Sequence, residues 1–292
     1  MAVGPSLAAT RRGPRMDARK LSPGRRLGRI ALCAVALAWL SLIVVVPLAA
    51  VLGEAFQDGF LAWWRAITDS EALVALRLSL KVALLTVPLN TVFGIAAAWL
   101  IARFRFPGRA LLLTLLDLPL SVSPVVSGLV FVLLFGSQGW FGPFLAQHDI
   151  QIIFALPGIV LATTFITLPM VAREILPLLQ SQGDDQELAA LTLGASPWQM
   201  FWRVSLPGMR WAVLYGVILT TARALGEFGA VSVVSGHIRG ETTTLPLHVE
   251  ILHGEFHFQA AFAVASILTL VGVFTLIARR VLQARIDATE AR

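Results

Sequence analysis

Apolar runs of about 20 residues or more alternate with short polar segments along most of this chain, a pattern of membrane crossings rather than of amphipathic surface helices. The runs lie at about 30–52, 78–101, 111–135, 152–176, 211–234 and 258–278. The first exceeds the about 7–15 apolar residues of a signal peptide, so it is expected to remain as an anchor. The third is interrupted by Asp117, Pro119, Pro124 and Gly128, with Ser121, Ser123 and Ser127 between them. Proline in mid-membrane frees carbonyls that need other partners, so a broken helix is predicted there. The fourth carries Pro157, Thr163, Thr164, Thr167 and Pro169. Between the first and second runs, Phe60 to Ile67 bears Trp63 and Trp64 and reads as an interfacial helix.

One polar-ended stretch, DDQELAALTLGASPWQMFWRVSLP at 184–207, has a different period. Asp184 followed by Glu187 has the form of a capping box, predicting a short helix from Asp185. Gly194 ends it, and Ser196 caps a second helix with Pro197 at its first position, running towards Pro207. Leu188, Leu191, Ala195, Trp198 and Trp202 recur at steps of three or four and form one apolar stripe. Such a stripe packs on its own membrane domain, reads DNA, or docks into a groove on a partner. Bases want Arg, Lys, Gln or Asn, whereas the second helix offers Trp198, Met200, Phe201 and Trp202 beside only Gln199 and Arg203, which disfavours DNA.

Composition fits a bilayer as solvent: 57% of residues are hydrophobic and 14% charged. The net charge of +6 could signal nucleic acid, so its distribution decides. With the N-terminus cytoplasmic, eight basic residues fall in 1–29, three in 103–109, three across 173–210 and four at the C-terminus, out of 23. This sorting satisfies the positive-inside rule, placing both termini and the 184–207 loop in the cytoplasm, and it leaves no nucleic-acid patch. The chain divides into a basic tail at 1–29, expected to be disordered, a transmembrane domain at 30–278 and a tail at 279–292. The single cysteine, Cys33, supports neither a disulfide framework nor a cysteine metal cluster. There is no GxxxxGK[ST] phosphate loop, so the chain is not expected to bind and hydrolyse ATP by itself.

The 184–207 loop resembles the EAA loop of ABC-importer permeases. Ala189, Ala190, Gly194, Val204, Leu206 and Pro207 fall on that motif's spacing, while Leu188 stands at its Glu position and the acid is one residue earlier, at Glu187. ARALGEFGA at 222–230 resembles the permeases for tetrahedral oxyanions. SVVSGHIRGETTTLPLHVEIL after it, NTVFGIAAAW at 90–99, ARFRFPGR at 102–109 and DLPLSVSPVVSGLVFVLLFG at 117–136 resemble the sulfate/thiosulfate type, W-type of its two paralogous permeases. The likeness covers residues 75–275. It implies an all-α membrane protein of six spans with the type I ABC importer (MetI-like) fold and a cytoplasmic coupling helix. It further implies a non-enzymatic permease subunit in a bacterial inner membrane, paired with its paralogue, two ATPase copies holding ATP and Mg2+, and an extracytoplasmic sulfate-binding protein. Glu187, Ala189, Ala190, Gly194, Ser196, Trp198 and Pro207 then become the ATPase-docking residues. A molybdate or tungstate permease, or an ion-coupled secondary transporter, are the alternatives.

A dianion needs a path of hydroxyls and backbone N–H groups with moderate positive charge. Ser121, Ser123, Thr163, Thr164, Thr167, Arg223, Glu227, Ser232 and Ser235 are the candidates. Counted along a continuous helix from Trp211, Arg223 lies about 18 Å and Glu227 about 24 Å into the bilayer. Their i,i+4 spacing makes mutual pairing the plain alternative to an anion contact. His237, His248, His253 and His257 share one outer loop, where a receptor-facing surface is expected rather than a metal site.

Overall fold

The computed structural model describes residues 23–290, all of its regular elements being helices. The predicted disorder of the Arg-rich segment before Pro23 lies outside the described residues. The chain falls into two units, one ending at Ala50 and one starting at Val51. The first is formed by helix α1 (Pro23–Ala55), so residues 23–29 of the expected tail are helical and continue the anchor. From Ile30 to Leu52 its side chains are apolar on every face except at Ser41, as lipid contact requires.

The second unit opens with α2 (Phe60–Ile67), at the predicted position, whose Trp63 indole donates to Ser266 Oγ at 2.9 Å. Then comes α3 (Ser70–Arg103), the long axis of this unit. After it follow α4 (Arg109–Ser121), α5 (Pro124–Phe135), α6 (Gly142–Gln147), α7 (Leu156–Thr167) and α8 (Pro169–Gln182). The amphipathic stretch gives α9 (Asp185–Thr192) and α10 (Pro197–Met200). The last four are α11 (Leu206–Leu225), α12 (Gly229–Ser235), α13 (Leu245–Gly254) and α14 (Phe258–Glu290). Three apolar clusters are strung along α3. Ala72 and Ala75 meet Leu245 and Val264; Leu78 and Val82 meet Ile159, Ile166, Val234 and Leu247; Ala97, Ala98 and Ile101 meet Val171, Ile175, Leu179 and Met209. At the last cluster the backbones approach closely because two glycines flank Val171. A Cβ on Gly94 would lie 2.7 Å from Val171 Cβ, and one on Gly216 2.9 Å from Val171 Cα.

Among the described residues, four helices are each long and apolar enough to cross a membrane, and two bent pairs raise this to six if each pair is one span. The predicted break in the third run is a turn of 108° between α4 and α5, at Val122 and Ser123. Pro124 dictates its place, since the residue before a proline is pushed out of the helical region and Ser123 is extended. The fifth run, expected to be one helix, is instead α11 and α12 bent by 51° around Gly226 to Phe228. Glycine weakens the helix there, and the Glu227 carboxylate accepts the Ala230 N–H at 3.1 Å, starting a new helix. The two breaks abut: a Cβ on Gly229 would sit 2.9 Å from Pro124 Cβ, and one on Gly128 2.8 Å from the Ala230 carbonyl.

Candidate docking surface and anion path

The amphipathic stretch forms the helix, turn and second helix that its sequence predicts, with two differences. Asp184 stands at the N-cap of α9, but its side chain caps nothing and the expected box with Glu187 is absent. Glu187 turns inward, where Arg103 offers a charge and Ser205 a hydroxyl, stronger partners together than one exposed backbone N–H. The second helix also does not stop at Pro207. After α10 the chain widens into a π-turn at Phe201–Ser205 and runs straight into α11, with the Leu206 N–H donating to the Phe201 carbonyl. The wider turn relieves the clash that a proline ring makes with the fourth carbonyl before it.

The turn between the helices follows expectation. Gly194 adopts φ +87°, and the Ala189 and Ala190 carbonyls accept the Leu193 and Ala195 N–H groups. Ser196 caps α10 with a full box: its hydroxyl accepts the Gln199 N–H at 3.3 Å, while the Gln199 side chain accepts the Ser196 N–H at 3.0 Å. The stripe is bare. Leu188, Leu191, Trp198 and Trp202 are 40–69% exposed, and Leu193 is 89% exposed. Phe201 fixes this surface to α3 by an edge contact with Trp99, ring centroids 5.2 Å apart, and Trp198 and Trp202 fan outward from it. Pro207 is exposed at the start of α11.

The predicted path residues fall into three places. Thr163, Thr164 and Thr167 line one side of α7 against α3, where the Asn90 amide donates to Thr167 Oγ1 at 2.7 Å and to the Thr164 carbonyl at 3.1 Å. The Thr164 hydroxyl reaches Thr86 at 3.3 Å, and the buried Thr163 hydroxyl finds no hydrogen-bond partner among the described residues. Ser121 and Ser123 are exposed at the break between α4 and α5, Ser121 donating to its own helix at Asp117. Arg223, Glu227 and Ser232 lie around the break between α11 and α12, and Ser235 is at the far end of α12. Arg223 Nη1 stands 2.8 Å from Glu227 Oε2, the Glu227 side chain being 1% exposed and that of Arg223 38%. The pair forms as expected, but across a bend, so Glu227 does not lie about 24 Å along a straight helix. Ser232 bonds within α12, and Ser235 accepts the His237 N–H. A cavity of about 680 Å³ between α5, α6 and the segment before α7, lined by Phe135, Leu145, Ile152 and Phe154, takes in none of these residues.

Two charged contacts escape a reading by motif. Arg173 in α8 donates from Nε and Nη2 to Asp117 Oδ1 in α4, at 3.0 and 2.7 Å, with both side chains 54% exposed. By helix rise Arg173 lies about 14 Å from the end of α8 and Asp117 about 12 Å from the start of α4. The available signal was an acid and a base within neighbouring apolar runs, and such charges face protein or water rather than lipid. The other is Arg103, whose guanidinium is buried against Glu187.

Between α12 and α14, His237 reaches Glu250 at 3.2 Å, His253 packs edge-on against Phe258, and His248 is buried in α13. Burial pushes the His248 imidazole below its ordinary range, with Glu71 and Asp69 pulling the other way. Among the described residues no three His, Cys, Asp or Glu side chains are grouped to hold a metal.

The chain is 54% identical over 254 residues to the sulfate transport system permease protein CysW of Synechocystis sp., covering 87% of this chain and 92% of that protein. It is 48% identical over 278 residues to CysW of Escherichia coli K12, covering 95% and 94%. To the sulfate transport system permease protein CysT of the same strain it is 36% identical over 270 residues, covering 92% and 96%. In fold it is similar to a chain from the crystal structure of a bacterial ABC transporter involved in the import of alginate, with TM-score 0.71, 17% identity and coverage of 89% and 96%. Residues 90–288 match the family described as binding-protein-dependent transport system inner membrane component. With that match, these relatives and two broken spans beside an exposed helical loop, this chain belongs to the family of inner membrane components of binding-protein-dependent transport systems.

Proposed function

We propose that this chain is one permease subunit of an ATP-driven importer for sulfate or thiosulfate in a bacterial inner membrane. It pairs with a paralogous permease, engages two copies of an ABC ATPase and receives its anion from an extracytoplasmic sulfate-binding protein. The observation that carries this reading is the nearly full-length likeness to CysW, and the likeness to CysT of the same strain supports a paralogous partner. Arginine and lysine placement supports cytoplasmic termini and a cytoplasmic docking loop.

The bare stripe of Leu188, Leu191, Trp198 and Trp202 supports ATPase docking. Aromatic side chains of this size left exposed on a soluble loop favour burial in a partner's groove. Glu187, Ala189, Ala190, Gly194, Ser196 and Pro207 shape that surface. ATP and Mg2+ belong to the ATPases, whose closure moves the docking helices and turns the permease pair between inward-facing and outward-facing states. The anion needs positive charge that admits it without trapping it. Arg223, 38% exposed and balanced by buried Glu227, suits this beside the second break, with Ser121 and Ser123 at the first break and Ser232 and Ser235 on α12. The Arg173–Asp117 pair offers a second balanced cation, and Thr163, Thr164 and Thr167 a hydroxyl-lined helix face.

The test is uptake of radiolabelled sulfate into proteoliposomes holding both permeases and the ATPase, with binding protein outside and ATP within. Uptake that requires both nucleotide and binding protein, and that thiosulfate but not molybdate competes away, is the expected result. Uptake by this chain alone without ATP contradicts the reading.

A further inference from the structure

Helix α9 lies eight residues long under the docking stripe, and isolated helices of that length are marginal in water. Its apolar side chains Leu188 and Leu191 face outward, so hydrophobic burial within this chain does not hold it. The one buried residue of α9 is Glu187, 7% exposed. Its Oε2 lies 2.7 Å from Arg103 Nε, and its Oε1 accepts the Ser205 hydroxyl at 2.6 Å. The Nε–H is not aimed along its contact, which is therefore an ion pair rather than a hydrogen bond. Arg103 in turn donates from Nη1 to the Leu179 carbonyl at 2.9 Å.

One carboxylate thus joins four elements. Arg103 is the last residue of α3, Leu179 belongs to α8, Ser205 closes the π-turn at the root of α11, and Glu187 is the anchor of α9. The same three rods share the tightly packed cluster around Val171, Ile175 and Met209, so they respond as one body to a force at their ends. Shielded from water, an ion pair is stiff, and removing either partner leaves a costly buried charge.

We propose that Arg103, Glu187 and Ser205 form the joint that passes displacement of the docking stripe to the membrane-spanning rods, with Arg103 and Glu187 as positioning residues for coupling rather than contacts to the ATPase. This rests on the docking role of the stripe. Division of labour follows: the outward Leu and Trp side chains bind, and the inward acid transmits.

The test uses the assembled complex in proteoliposomes with Arg103→Gln, Glu187→Gln, Ser205→Ala and the reversal Arg103→Glu/Glu187→Arg. ATPase retention, ATP hydrolysis stimulated by loaded binding protein, and sulfate moved per ATP are read for each. Both charge-removing variants are expected to retain the ATPase and to hydrolyse ATP, while sulfate moved per ATP falls about tenfold. Ser205→Ala, which keeps the ion pair, is expected to lose about threefold, and the reversal to recover much of the loss. Weakened ATPase retention in Glu187→Gln but not Arg103→Gln would show that the acid touches the ATPase and overturn the proposal. Unchanged coupling in both charge-removing variants would overturn it as well. If both fail to assemble, the reversal decides: assembly with coupling regained supports the joint, and assembly with coupling still lost refutes it. Failure of the docking reading itself would show separately, as a Trp198→Ala complex that keeps its ATPase.

Discussion

Gly194 holds the docking turn at φ +87° with open space where a Cβ would go, so a side chain there meets strain and no clash. The left-handed conformation costs an L-residue about 1–2 kcal/mol, and a β-branched one more. Gly194→Val is therefore expected to distort the turn and uncouple hydrolysis from uptake, measured as sulfate moved per ATP, whereas wild-type coupling would count against the turn's role. Trp198→Ala removes the largest exposed anchor of the stripe and is expected to weaken ATPase binding by roughly 2 kcal/mol, about thirtyfold in Kd. At the second break, Arg223→Met leaves the Glu227 carboxylate buried without its counter-charge, while Arg173→Met leaves an Asp117 that is half exposed. The first variant should lower the melting temperature of the purified complex by clearly more than the second; equal shifts would mean that Glu227 is balanced elsewhere. His248 titrates in the opposite sense to a paired histidine. Its folded pKa lies below the unfolded value of about 6.5, so the unfolded form takes up protons first as pH falls through that value, and folded stability declines below it. Once the base-catalysed intrinsic rate is divided out, amides of α13 should show lower protection factors at about pH 5.5 than at about pH 7.5, and His248→Gln should remove the difference.

At the scale of elements, what the sequence made legible depended on how local the cause was. Ser196, Pro197 and Gln199 act within one turn, and the cap they announce is the cap that forms. The break before Pro124 is equally local, because a proline restricts its immediate neighbour. Glu187 was misassigned to a capping box because its actual partner, Arg103, is 84 positions earlier and reaches it only through tertiary packing. The bend at Gly226 to Phe228 is less legible because Glu227 plays two parts: it pairs with Arg223 four residues back, as its spacing announces, and it also accepts the Ala230 N–H that starts α12. Pro207 marked a helix end in sequence, yet the π-turn before it absorbs the ring and lets α10 continue into α11. A helical path from Pro197 to Leu225 consequently links Trp198 and Trp202 to the bend in the fifth run.

For the whole molecule, α3 gathers three apolar clusters along its length, and the docking stripe projects beyond the last of them. The residues proposed for the anion path are spread over several elements, Thr163 on α7, Arg223 on α11 and Ser121 on α4, so their spacing in sequence does not define one site. Arg173 and Arg223 keep 54% and 38% of their side chains exposed beside their acid partners, and charges within apolar runs face protein or water rather than lipid. The most direct measurement places a photo-activated cross-linker at Trp198, and separately at Trp202, in the intact membrane complex. Covalent capture of a nucleotide-hydrolysing subunit from the cytoplasmic face, abolished when the cross-linker is moved to buried Met200, is the expected result. Capture from the outer face, or no nucleotide-hydrolysing subunit among the adducts at either position, would contradict a permease driven through this loop.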